Sequence, residues 1–148
     1  MKTTGKLRGY IYAVTLFFIT LSGFGQMPIF KRYYIADIPG LGWLAQFYVT
    51  HIIHYIAATV LIALVIYVLF DFIFNRSGLN TITGSGYFKI VIIAGLIVSG
   101  GLMVIKNLPN IYFGHTAIIV LDLVHLSLCM MLLCISLYTR IRKKRWVS

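Results

Sequence analysis

Four histidines, His51, His54, His115 and His125, carry most of the chemical potential of this sequence. All four fall in long, almost uncharged stretches, where an ionisable group is costly enough to be functional by default. Three chemistries suit imidazoles so placed. Two imidazoles on opposite faces of a macrocycle hold a haem iron; four can enclose zinc; and a histidine chain with Asp122 can relay protons. Zinc fits poorly, because His115 and His125 are ten residues apart, about 15 Å along a helix, and structural zinc sites usually draw on thiolates or carboxylates. The proton path would not require histidines at matched depth. Cys129 and Cys134, five apart on one helix with no second pair elsewhere, read as packing residues and not as an iron–sulfur or disulfide framework.

The elements that must position these imidazoles are membrane spans. Of 148 residues 60% are hydrophobic and 11% charged, with a mean hydropathy of +0.93, so a water-soluble core with a polar shell is excluded. Uncharged runs extend from Gly9 to Phe30 and from Ile38 to Phe70, where Ile38-Pro39-Gly40-Leu41-Gly42 reads as a turn before the helix proper. A shorter run from Ile90 to Ile105 is flanked by lysines that can snorkel. The last, from Asn107 to Thr139, has Asp122 as its one charge. About 20 helical residues cross a hydrocarbon core, so the expectation is an all-α, polytopic four-helix bundle in one transmembrane domain, residues 1–148, with spans near 9–28, 43–70, 87–105 and 112–139. No internal repeat, linker or low-complexity tract is visible.

The 13 Lys and Arg against three acids give a formal charge of +10. These charges punctuate apolar runs instead of forming a water-facing patch, which argues for positive-inside topology and against nucleic acid. With the N-terminus in the cytoplasm, ten basic residues fall inside and three, Lys31, Arg32 and Lys106, outside, so both termini are expected to be cytoplasmic. The first 25 residues share the basic start and apolar stretch of a signal peptide, but no small-x-small site follows Leu21-Ser22-Gly23-Phe24-Gly25, and the segment is expected to remain as the first helix. Tyr33, Tyr34 and Trp43 suit an interfacial aromatic belt. The run Arg140-Ile141-Arg142-Lys143-Lys144-Arg145-Trp146 fits a stop-transfer cluster better than a dedicated anionic-lipid site.

The second and fourth spans run in the same direction, so their histidines can stand at equal depth and face each other across a bundle slot. In this pattern the chain resembles the b-type cytochrome subunits of membrane formate dehydrogenases and nickel-iron hydrogenases. The resemblance is carried by Leu21-Ser22-Gly23-Phe24-Gly25, His54-Tyr55-Ile56-Ala57-Ala58, Ser99-Gly100-Gly101-Leu102 and Gly114-His115-Thr116-Ala117. It implies haem b in a prokaryotic cytoplasmic membrane, a peripheral iron–sulfur or cytochrome partner on the outer face, and quinone as electron acceptor or donor. It also implies His54 and His115 as ligands of the outer haem. The family's inner-haem ligands match Gly9 and Cys129, so both are missing together and one haem b is expected.

His51 and His125 leave alternatives open. His51 lies about 60° around the helix from His54, and one of the two is expected to ligate while the other serves a propionate or quinone. Counted from the cytoplasmic ends, His54 matches His125; counted from the family motif, it matches His115, which is the preferred pairing. A crowded two-haem arrangement, His51–His115 plus His54–His125, is the further alternative. Asp122 could accept a hydrogen bond from His125, handle quinone protons, or be satisfied by a neighbouring helix. Lys31, Arg32 and Lys106 could pair with haem propionates or act as snorkelling anchors. Small residues Gly95, Ser99, Gly100 and Gly101 permit close approach of a helix or a macrocycle. The expected function is electron transfer between a partner's redox centres and the quinone pool; the competing expectation is a non-haem anchor or proton-conducting subunit whose histidines serve packing.

Overall fold

A computed structural model describes residues 2–27, 37–75 and 82–142, and within them the side chains from residue 6 to 27, 37 to 74 and 82 to 142. The loop residues Lys31, Arg32, Tyr33 and Tyr34, most of the segment between the second and third spans, and the basic run from Lys143 onward lie outside the described residues. Helix accounts for 84% of the described residues, and no strand element occurs among them. Four helices, α1 (Lys2–Gly25), α2 (Phe47–Asn75), α3 (Gly84–Ile105) and α4 (His115–Ile141), are each long and apolar enough to cross a membrane. The protein is therefore a multi-pass membrane protein.

Helix boundaries follow local chemistry. Ile38-Pro39-Gly40-Leu41 is a type II turn: the Leu41 amide donates to the Ile38 carbonyl at 2.9 Å, and Gly40 takes a φ of 88°. A 3-10 turn at Gly42–Ala45 follows, so α2 begins at Phe47 and not near Trp43. α2 also continues to Asn75, past Asp71, because that carboxylate is held by an arginine on the neighbouring helix. Thr83 caps α3 by accepting from the Gly86 amide at 3.2 Å. The turn after α3 places Asn110 at a φ of 68°, and α4 starts at His115, three residues later than expected.

The described chain divides into two compact units, residues 1–75 and 76–148, each an antiparallel helical hairpin. Within each, one helix seam repeats every seven residues, the spacing of left-handed helix packing. Arg8, Thr15 and Ser22 mark it on α1; Thr50, Ala57 and Asp71 mark it on α2. In the second unit Ile92 and Ser99 on α3 meet a seam of His125, Leu132 and Thr139 on α4.

Small and hydroxylated side chains dominate these seams, whereas large apolar ones point outward: Thr15, Ser22, Thr50, Ser99 and Thr139 are buried, but Phe17, Ile56, Val98 and Leu137 are exposed. In hydrocarbon there is no hydrophobic drive to bury a leucine against a helix, and close backbone approach decides packing instead. Four of these hydroxyls are satisfied without water, whereas that of Thr20 is buried with no partner among the described residues. Ser22, Thr50, Ser99 and Thr139 each hydrogen-bond carbonyls three and four residues back on their own helix.

The tightest approach in the first unit is at Gly25, where an added Cβ would stand 3.1 Å from the Leu44 and Thr50 side chains and 3.3 Å from the Leu44 carbonyl. Gly9, on the same helix, has nothing within 4 Å. Gly25→Val is expected to destabilise the detergent-purified protein by about 1–3 kcal/mol through overpacking, and Gly9→Val to leave its thermal midpoint nearly unchanged. Equal midpoints for the two variants would contradict this packing.

Candidate functional site: two serine–glycine–histidine contacts

Each hairpin brings a histidine of its second helix against a Ser-Gly pair of its first. In the first unit His54 Nδ1 lies 3.2 Å from Ser22 Oγ and 3.0 Å from the Ile19 carbonyl oxygen. In the second, His125 Nδ1 lies 2.8 Å from Ser99 Oγ. The serines are held alike, Ser22 donating to the Phe18 carbonyl at 2.6 Å and Ser99 to the Gly95 carbonyl at 2.8 Å. Gly23 makes room for the imidazole, since a Cβ there would stand 3.2 Å from His54 Cε1; a Cβ on Gly100 would meet His125 Cε1 at 3.5 Å, an ordinary contact.

The Ile19 carbonyl can only accept, so in neutral His54 Nδ1–H is the donor and the lone pair resides on Nε2, the tautomer of a metal-ligating histidine whose other nitrogen is oriented by an outer hydrogen bond. At His125 the partner is the Ser99 hydroxyl, which can donate or accept and whose single hydrogen also has the Gly95 carbonyl in reach, so either ring tautomer satisfies the contact.

The other sequence candidates stand elsewhere. His51 is half-buried in an aromatic stack on α2, its ring centroid 5.0 Å from that of Phe47 and 4.4 Å from that of Tyr55. His115 is the first residue of α4, exposed, directly after the Gly114 cap. Asp122 pairs with Lys106, Nζ to Oδ1 2.9 Å, instead of accepting from His125. That pair also accounts for Lys106, whose side chain reaches back along the hairpin from the end of α3. Cys129 is half-buried and Cys134 exposed, both as free thiols. Among the described residues no three His, Cys, Asp or Glu side chains come together.

Sequence reasoning marked Ser22-Gly23 and Ser99-Gly100 as motif or packing residues and missed that they serve the histidines. The available signal was a repeated order, Ser-Gly on one helix and His on the next, separated by 32 residues in one unit and 26 in the other. Unequal loops hide that repeat from a fixed-period search. Nitrogen-15 NMR of the detergent-purified, ligand-free protein should show His54 protonated at Nδ1 and unprotonated at Nε2. A neutral His54 ring protonated at Nε2 would overturn the assignment.

Comparison of the chain with known protein families, curated proteins and solved structures returns no match.

Proposed function

We propose that this chain is a haem b-binding membrane subunit of a respiratory oxidoreductase, moving electrons between a partner's redox centre and the quinone pool, with His54 and His125 as the histidines that would hold the haem. The observation that carries this reading is the shared Ser-Gly-His contact, which holds two intramembrane imidazoles through Nδ1 and directs ligation to Nε2. His115 has no such contact with a serine, which shifts the proposed pair from His54–His115 to His54–His125. When bound, haem b supplies a one-electron carrier inside the apolar span.

The residues of the chain have three roles in this function. Ser22 and Ser99 orient the rings and raise the basicity of Nε2. Gly23 and Gly100 let the rings lie close to the first helix of each hairpin. The exposed apolar side chains of all four helices keep the surroundings dry, which strengthens every polar contact and bears on redox potential. The wider setting, a prokaryotic cytoplasmic membrane with both termini inside and an iron–sulfur or cytochrome subunit on the outer face, is supported by the distribution of Lys and Arg and by the family resemblance. Lys106 is committed to Asp122, which argues against a simple propionate anchor and against a free proton acceptor at Asp122.

A second reading has its own support in the same contacts. A Ser–His hydrogen bond between helices is also a packing device in membranes, so a non-haem anchor would use it too. Colour separates the two. Pyridine haemochrome quantitation of the purified chain is expected to give about one haem for the wild type, His51→Ala and His115→Ala, and none for His54→Ala or His125→Ala. Ser22→Ala and Ser99→Ala should retain the site with roughly 10- to 100-fold weaker affinity. Loss in His115→Ala with retention in His125→Ala would return the pair to His54–His115; a ratio near two would indicate the His51–His115 and His54–His125 arrangement; a colourless protein would favour the anchor.

A further inference from the structure

The two hairpins handle a cation on the first helix differently. In the first, Arg8 on α1 meets Asp71 on α2, Nη1 to Oδ2 2.8 Å, with its guanidinium also 5.6 Å from the Tyr67 ring centroid. In the second, Lys89 on α3 meets Thr139 on α4, Nζ to Oγ1 2.7 Å. Arg8 and Asp71 lie 14 and 17 residues from the Ser22–His54 contact along their helices; Lys89 and Thr139 lie 10 and 14 residues from Ser99–His125. The second pair occupies the same end of its hairpin, about one turn nearer the histidine.

Where hairpin one supplies a carboxylate, hairpin two supplies a neutral hydroxyl. Among the described residues two carboxylates are paired, Asp71 with Arg8 and Asp122 with Lys106 at the opposite end of its hairpin from Lys89. Among the described residues Lys89 has no carboxylate within ion-pairing distance. It is half-buried, one turn inside α3, and the Thr139 hydroxyl beside it is buried, donating to its own helix at the Ile135 and Ser136 carbonyls. Arg140 and Arg142 follow Thr139, both exposed, so positive charge accumulates at this end of α4.

We propose that Lys89, with Arg140 and Arg142, binds the phosphate of an anionic phospholipid, which supplies the charge that Asp71 supplies in the other hairpin. The flanking surface selects a lipid over a free anion: Phe88, Ile90, Leu137 and Tyr138, on the same turns, are exposed and apolar or amphipathic, suited to acyl chains with the headgroup at the basic cluster. The inference is independent of haem binding.

Native mass spectrometry of the full detergent-purified chain with phosphatidylglycerol or phosphatidylcholine tests it. The wild type should retain phosphatidylglycerol in preference to phosphatidylcholine. Lys89→Met should weaken that retention about fivefold, from the loss of one basic contact, and Lys106→Gln, with the same change of charge, should not. Thr139→Asp, which rebuilds the first hairpin's pairing, should weaken it similarly while preserving the fold, and so serves if Lys89→Met fails to fold. Asp71→Thr should create a second retained lipid at Arg8. Equal retention of the two lipids by the wild type, wild-type retention in Thr139→Asp, or displacement of phosphatidylglycerol by millimolar inorganic phosphate would each overturn the proposal.

Discussion

The hydrogen bond between an imidazole Nδ1 and a serine hydroxyl on the facing helix is the constraint around which each half of this protein is arranged. Leaving either partner unsatisfied in a region without water is costly. In the first half the Ile19 carbonyl also requires Nδ1–H of His54, which leaves the lone pair on Nε2. One arrangement thus holds the helices together and prepares a ligand.

Helix packing answers to the same requirement. The His54 ring lies close enough to the neighbouring helix to favour glycine opposite it. Side chains at the seams are Gly, Ser, Thr and Ala more often than Leu or Phe, although Leu44, Leu61 and Leu132 are buried. Such a surface is the inverse of a soluble protein's, and it follows from the solvent: lipid gives no reward for hiding a leucine, but van der Waals contact between close backbones is retained.

Charge is distributed with equal economy. Of three carboxylates two are placed opposite cations at the edges of the apolar region, where an unpaired charge would be costly. The hairpins therefore resemble each other in the Ser-Gly-His contact but not in their electrostatics. That asymmetry gives Lys89 a neutral hydroxyl where Arg8 has a carboxylate.

The amino-acid sequence by itself determined the class of protein, the number of spans and the residues worth watching, because hydropathy over some twenty residues and the cost of an ionisable group in lipid are local properties. The Pro39-Gly40 turn was legible for the same reason, since its backbone angles are dictated by the two residues themselves. Which histidines share a role was not legible. His115 follows a family-like glycine but stands exposed at a helix start, and His51 and His54, three residues apart, divide between an aromatic stack and a serine. The partnership of Lys106 with Asp122, and the reuse of Ser-Gly with His in both halves, depend on the register of one helix against another. Register is set by contacts between residues distant in sequence, 32 and 26 positions apart at the two histidines, and only the tertiary structure decides it.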